Sequence, residues 1–260
     1  MDKIGVGIIT YNSERYFEQL FNSLPIDPWY DLVVVNGGQP YTKSFKRFSG
    51  SVKWIQHDTN KGSAASRNDA LHYLYEQGCE HLFLIEDDMI IKSPNIFKRY
   101  IEYAKISGLE YLNFASYAWD SGHPFARTPK VKVGFSPEVS IWFYSNMCNE
   151  FTYRTRGLYE RIGPYREDMT SLFDCEWVYR ASLDDKTSPF WYFPDIADSD
   201  DLIMNNPEST SRLDADGNRM NKLEKENTIF FKEHKCMINN IPLCTIDELT
   251  YKLKKIKNGH

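Results

Sequence analysis

Three consecutive carboxylates, Glu86-Asp87-Asp88, follow directly on the apolar run Leu82-Phe83-Leu84-Ile85. Carboxylates packed this closely repel, and one is driven toward protonation unless a cation neutralises them. A hard divalent ion with oxygen ligands does so and leaves coordination positions open for phosphate oxygens. The run from His81 to Ile85 suits a strand buried on both faces of a parallel sheet, and ligands of such sheets collect at the carboxyl ends of the strands. Alternation along that strand puts Glu86 and Asp88 on one face and Asp87 on the other. A competing reading makes the acids the cap of the next helix. Against it, that helix has its own start in Ser93-Pro94, an N-cap followed by a proline at the first helical position. Apolar residues follow at Ile96, Phe97, Tyr100, Ile101 and Ala104, before a stop at Gly108.

The elements needed to hold such a site alternate along the first part of the chain. Ile4 to Ile9 reads as a buried strand running into Thr10-Tyr11-Asn12-Ser13, where Asn12 or Ser13 can cap a helix. That helix carries Tyr16, Phe17, Leu20, Phe21 and Leu24 and ends before Pro25. Leu32 to Val35 is a second strand, closed by Asn36-Gly37-Gly38, and Val52 to Ile55 a short third. Asn60-Lys61-Gly62-Ser63 opens a helix that stops at Gly78. Strand–helix alternation of this kind predicts a parallel sheet with right-handed crossovers.

Composition narrows the class. With 260 residues, 42 % of them hydrophobic, the chain can bury a full core as one large domain or two fused lobes. A net charge of −5 and a pI near 5.7 give no global field toward nucleic acid or anionic membrane. The five cysteines form no Cys-x-x-Cys pair, and their odd number suits reduced thiols in a cytoplasm. The start Met1-Asp2-Lys3-Ile4 lacks the apolar core of a signal peptide. No apolar run approaches the roughly 20 residues that span a bilayer. A soluble, cytoplasmic protein is expected.

Taken together, the motifs resemble the nucleotide-binding half of family-2 glycosyltransferases of the GT-A fold. The matching pieces are Gly7-Ile8-Ile9-Thr10-Tyr11-Asn12, Val33-Val34-Val35-Asn36-Gly37-Gly38, Asn60-Lys61-Gly62 with Ala65-Ser66-Arg67-Asn68, and Glu86-Asp87-Asp88 in place of the Asp-x-Asp metal motif. The resemblance implies an α/β fold, a mostly parallel twisted sheet flanked by helices and fused to a mixed acceptor-binding half. It implies one domain over 1–260, with nucleotide-sugar binding in 1–115, acceptor and catalytic functions in 116–205 and a helical extension in 206–260. It further implies a UDP-sugar donor with Mn2+ or Mg2+, and donor contacts from Thr10, Tyr11, Asn12, Asn36, Asp58, Gly62, Arg67, Asn68, Glu86 and Asp87. Two departures stand out. Asn36 replaces the aspartate that often reads uracil, although an amide can both accept and donate. Glu86 replaces the first metal aspartate, which leaves Asp88 as the principal metal ligand.

The second half is less regular. Leu109 to Ala115 reads as a strand, and residues 116–150 are rich in aromatics, among them Trp119, Phe125, Trp142, Phe143 and Tyr144. Such rings suit either sugar stacking or core, and His123 reads as a neutral surface histidine. Arg161-Ile162-Gly163-Pro164-Tyr165, followed by Asp174-Cys175-Glu176-Trp177 and Arg180, resembles the family's acceptor-side element. That mapping makes Asp174 the general base, with Glu176 and Trp177 on the acceptor side. The competing reading is a helix start with Asp174 as N-cap. Tyr192-Phe193-Pro194-Asp195 resembles the last core strand, after which either Asp200 or His234 supplies a further metal ligand. Asp214-x-Asp216-x-Asn218 fails as a calcium loop, having Arg219 at the sixth position and Lys225 at the twelfth. The tail opens with the capping box Thr245-x-x-Glu248. Its lysines make a solvated face or a weak peripheral contact to membrane or nucleic acid.

The activity implied is inverting transfer from a UDP-sugar, with Asp174 deprotonating the acceptor hydroxyl. Acceptors in range are a glycan, a lipid-linked glycan, a protein, a small molecule or a modified base in DNA. Two other functions compete. A nucleotidyltransferase needs a basic glycine-rich loop after the first strand, which Thr10-Tyr11-Asn12-Ser13-Glu14 is not. The other is a non-catalytic sugar-nucleotide-binding protein.

Overall fold

The computed structural model describes residues 2–25, 30–43, 45, 52–114, 129–145, 149–208 and 219–258. Trp119, His123, Phe125 and the segment Asp214 to Asn218 lie outside the described residues. Strands β1 (Ile4–Thr10), β2 (Tyr30–Asn36), β3 (Lys53–Gln56) and β4 (His81–Glu86) are parallel neighbours. Helices α1 (Glu14–Ser23) and α2 (Ser63–Glu76) make the crossovers from β1 to β2 and from β3 to β4. The sheet then turns mixed. After β5 (Met89–Ile91), α3 (Ile96–Ser107), β6 (Tyr111–Asn113), β7 (Pro129–Gly134) and β8 (Ser140–Tyr144), strand β9 (Phe151–Thr155) inserts antiparallel between β4 and β6. The six-stranded order is β3-β2-β1-β4-β9-β6.

The remaining elements cover its faces: α4 (Arg156–Ile162), α5 (Phe173–Ser182), β10 (Phe193–Ile196), α6 (Ser199–Leu202), β11 (Ile203–Asn205), α7 (Arg219–His234) and α8 (Ile246–Asn258). The continuous apolar run of β4 has a direct cause. Phe83 and Ile85 enter one buried cluster with α1, α3 and α8, while Leu82 and Leu84 enter another with α2, α5 and α7. Packed on both faces, the strand's central positions 82–85 are all apolar. On β1, a Cβ at Gly7 would meet Ala70 Cβ and Leu84 Cδ2, each at 2.9 Å, so glycine there lets α2 lie close against the sheet. Among the described residues no helix is long and apolar enough to cross a membrane.

Several boundaries differ from expectation. The strand carrying the acids ends at Glu86, and Asp87 and Asp88 form a turn into β5, so pleated alternation does not extend to them. Ser93 is not the cap of α3. That helix starts at Ile96 after Asn95, and Ser93 Oγ accepts from the Asn95 N–H at 3.3 Å within the preceding turn. Of the strand expected over Leu109 to Ala115 the described residues form Tyr111–Asn113, with Phe114 N–H still donating to Phe151 O of β9 at 2.8 Å; Ala115 lies outside the described residues. Ser13, not Asn12, precedes α1, and its side chain does not cap it. Instead the Ser13 hydroxyl donates to Tyr11 O at 3.0 Å. The capping box is formed as read: Glu248 accepts from the Thr245 N–H at 2.7 Å, and Thr245 accepts from the Glu248 N–H at 3.2 Å.

Helix α8 is locked onto α3 where Gly108 ends the latter at φ 77°. A Cβ there would stand 2.8 Å from Ile256 O. Gly78 has a similar φ of 73° but open space around it. Gly78→Ala should therefore cost about 1–2 kcal/mol of left-handed strain. Gly108→Ala should cost about 1–3 kcal/mol more, because the added methyl overpacks the α3–α8 contact. Urea midpoints compare the two, and equal losses would mean that α8 is not seated on Gly108.

Candidate active site

At the carboxyl ends of β1, β2 and β4 three loops interlock. Asp87 Oδ2 accepts from Thr10 Oγ1 at 2.5 Å and from the Tyr11 N–H at 3.3 Å, and the Thr10 hydroxyl also bonds that of Tyr41. Asn12, at φ 52°, accepts from the Gln39 N–H at 2.9 Å through Oδ1, tying the β1 loop to the β2 loop. Asn36 is buried, and its amide serves its own loop. Its oxygen accepts from the Gly38 N–H at 2.9 Å, and its nitrogen donates to Gln39 O at 2.8 Å and Gln56 Oε1 at 3.1 Å. Tyr11 and Asp58 are exposed beside these loops. Gly62, at φ 89°, opens α2 and accepts from the Ser66 hydroxyl at 3.1 Å.

Beneath the acids lies Arg67, 1 % exposed, which ion-pairs with Glu86 and donates from both terminal nitrogens to Asn149 O at 3.2 Å. Its guanidinium centre stands 5.8 Å from the Phe173 ring and 6.0 Å from that of Tyr165. Arg67 draws Glu86 toward ionisation. Burial, together with Asp88, Glu150 and Asp87, drives it the other way and prevails, raising the carboxyl to about 8. The Glu86 side chain keeps 35 % accessibility, so it is confined among charges rather than sealed from water. Asp87 is pushed up to about 6, by burial and then by Asp88, against its hydrogen bonds from Thr10 and Tyr11.

On the other side of Arg67 stands Asp174, in the first turn of α5. It is not the N-cap, because Leu172 holds that position. Its Oδ1 accepts from the Cys175 N–H at 2.7 Å. Burial raises its pKa, while Asn149, Cys175 and Arg67 favour the ionised form. Glu86, Arg67 and the Asn149 backbone oxygen thus form one polar chain, and Asp174 lies within electrostatic reach of Arg67. Asn149 joins it through its backbone oxygen, a role that no spacing in the sequence announces.

Other sequence candidates are drawn elsewhere. Asn68 spends its amide on the loop ahead of α5: Oδ1 accepts from the Tyr165 N–H at 2.8 Å, and Nδ2 donates to Tyr165 O at 2.9 Å. Glu176 is 1 % exposed and held by Arg180 Nε at 2.8 Å and His234 Nε2 at 3.1 Å. Trp177 is fully buried, donates to Gly163 O at 2.9 Å and lies 4.0 Å under the Arg154 guanidinium. Asp200 is exposed on α6, with its backbone oxygen on Lys92 Nζ. Neither Asp200 nor His234 is brought to the acidic turn by any of these contacts. Among the described residues no three His, Cys, Asp or Glu side chains converge into a ready-made ion site.

Neither a described protein family nor a curated protein sequence matches this chain. Solved structures do. TarS from S. aureus superposes with a TM-score of 0.57 at 18 % identity, over 89 % of this chain and 43 % of its own. This chain therefore spans less than half of that TarS chain. TarS 1–349 in complex with UDP gives 0.54 at 15 % identity, over 98 % of this chain and 80 % of its own. The mannosyltransferase PcManGT from Pyrobaculum calidifontis, in complex with GDP-Man and Mn2+, gives 0.54 at 11 %, over 98 % and 69 %. The chain shares their fold. At these identities the relationship is distant and does not carry residue roles across.

Glu86 makes the site's charge measurable. Its carboxyl is raised from 4.5 to about 8, so between those values the folded chain holds a proton that the unfolded chain has lost. Stability then falls as pH rises across that window. Glu86→Gln should flatten the fall in urea-unfolding free energy, and an unchanged slope would assign the titration to another group.

Proposed function

We propose that this chain is a glycosyltransferase of the GT-A type, resembling family 2, that moves a sugar from a nucleotide-sugar, by preference a UDP-sugar, to an acceptor hydroxyl. The observation that carries this reading is the juxtaposition of two carboxylate centres across Arg67. The acidic turn Glu86-Asp87-Asp88 stands at the carboxyl end of β4, and Asp174, in the first turn of α5, lies within electrostatic reach of the same Arg67. Support comes from the fold, shared with a structure that holds UDP and another that holds GDP-Man and Mn2+.

A divalent ion fits the donor chemistry of the turn only in part. Glu86 is engaged by Arg67 and Asp87 by Thr10. Asp88 is the residue we assign to an ion, with Asp87 beside it and diphosphate oxygens completing an all-oxygen shell suited to Mn2+ or Mg2+. Such an ion, when bound, offsets charge on the departing diphosphate. The loops after β1 and β2, with Tyr11 and Asp58, hold the nucleoside. Arg67 keeps Glu86 in place from below. Asp174 takes the proton of the acceptor hydroxyl as that oxygen bonds to the anomeric carbon. The bond from the anomeric carbon to the diphosphate oxygen breaks with inversion, and the nucleoside diphosphate leaves with the electron pair. The acceptor is a hydroxyl compound of the glycan, lipid-linked glycan, protein, small-molecule or modified-base class.

Three measurements test this. UDP with Mn2+ should raise the melting temperature more than UDP alone, since a ligand of the native state stabilises it. A larger shift with GDP would overturn the uridine assignment. Asp88→Asn should abolish the metal-dependent part of UDP binding in calorimetry while sparing the fold, because the turn is not core. Undiminished Mn2+ dependence would move the ion elsewhere. Asp174→Asn should leave UDP affinity near wild type and lower kcat by roughly 10²–10⁴-fold, the usual worth of a positioned acid–base group. Near-normal transfer by that variant would remove Asp174 from the mechanism.

A further inference from the structure

Three residues of α7 spaced four apart, Glu226, Phe230 and His234, share one helix face and meet α5 at three places. Glu226, 4 % exposed, accepts from the N–H groups of Thr170 at 2.7 Å, Ser171 at 2.9 Å and Leu172 at 2.7 Å, and from the Thr170 hydroxyl at 2.8 Å. The Phe230 ring lies 5.2 Å from that of Tyr179, and His234 Nε2 is 3.1 Å from Glu176 Oε1. Asp174 stands in sequence between the stretch gripped by Glu226 and the residue gripped by His234.

The start of a helix leaves N–H groups without intrahelical partners, and a nearby aspartate ordinarily takes them. Leu172, at the N-cap, has no side chain for the task. Glu226, from a distant segment, holds the Leu172 N–H and the two before it, and Asp174 takes the Cys175 N–H. The Asp174 carboxylate is therefore spared the N–H groups of residues 170–172. We propose that Glu226 is a positioning residue: by holding the N–H groups ahead of α5 in trans, it leaves Asp174 only the donors of its own first turn and fixes where that turn stands relative to Arg67. This rests on the reading of Asp174 as general base. The groups around Asp174 are Arg67 from α2, Asn149 ahead of β9, Tyr111 from β6 and Cys175 on its own helix. None of them takes the N–H groups that Glu226 holds.

The test uses the full chain and three variants. Glu226→Gln keeps the shape, loses the charge and turns an amide N–H toward the backbone donors. Amide hydrogen exchange over 170–176 should then accelerate roughly tenfold, the size of effect expected for loss of a cap. The Asp174 carboxyl, followed by carbon NMR and assigned with Asp174→Asn, should titrate below its wild-type value. It gains donors to its ionised form, the N–H groups of residues 170–172 that Glu226 no longer holds as a carboxylate. UDP affinity should stay within about twofold, because the donor loops are untouched. Glu226→Asp, which keeps the charge on a shorter arm, should fall between wild type and Gln, and it serves if Gln does not fold. Phe230→Ala loosens α7 but keeps the carboxylate, so the Asp174 titration should not move. An Asp174 titration unchanged in Glu226→Gln, or shifted equally in Phe230→Ala, overturns the inference. Transfer undiminished in Asp174→Asn sinks the base assignment alone, since exchange and titration report the latch without it.

Discussion

The structure turns on a buried guanidinium. Arg67 sits beneath the acidic turn against the Glu86 carboxyl, with two of its donors on Asn149 O. Burying an arginine is costly unless it is paired and hydrogen-bonded. Here the pairing joins three segments far apart in sequence: the N-terminal half of α2, the end of β4 and the residues ahead of β9. Removing one partner of such a buried pair costs about 3–5 kcal/mol, less where one partner keeps contact with water as Glu86 does. The same charge lies across from Asp174, so one residue sets the electrostatics of both carboxylate centres.

Those centres are held by different means. The acidic turn is fixed locally, by the end of a strand buried on both faces and by Thr10 and Tyr11 from the neighbouring parallel strand. Asp174 depends on contacts from outside its helix: Asn149 beside it, the Asn68–Tyr165 backbone bridge on the loop ahead, and α7 behind. The mixed sheet links the two arrangements. Insertion of β9 antiparallel beside β4 brings Asn149 and Glu150 to the acids, and Glu86 N–H donates to Glu150 O at 2.7 Å. A wholly parallel sheet would place another crossover there instead.

Much of this was legible in the chain. The β4 run, the β1 and β2 strands, the two crossovers and the acids at the strand end follow from local apolar pattern and turn residues, which depend on near neighbours alone. The Thr245–Glu248 box is equally local. Where local signals competed, the structure chose: Ser93-Pro94 became a turn, with the helix beginning at Ile96. Glu176 and Asp174 look alike in sequence, two acids one residue apart. One is sealed under Arg180 and His234, and the other faces Asn149.

What the sequence determined by itself was the order of elements and the location of the acidic turn, because hydrophobic period and turn chemistry act over a few residues. What only the tertiary structure decided was partnership. Arg67 finds Glu86, Asn68 finds Tyr165, His234 finds Glu176 and Glu226 finds the start of α5. Each buried polar group must be satisfied, yet its partner lies between 19 residues (Arg67 to Glu86) and 97 residues (Asn68 to Tyr165) away. No local pattern records which distant group the packed chain will deliver.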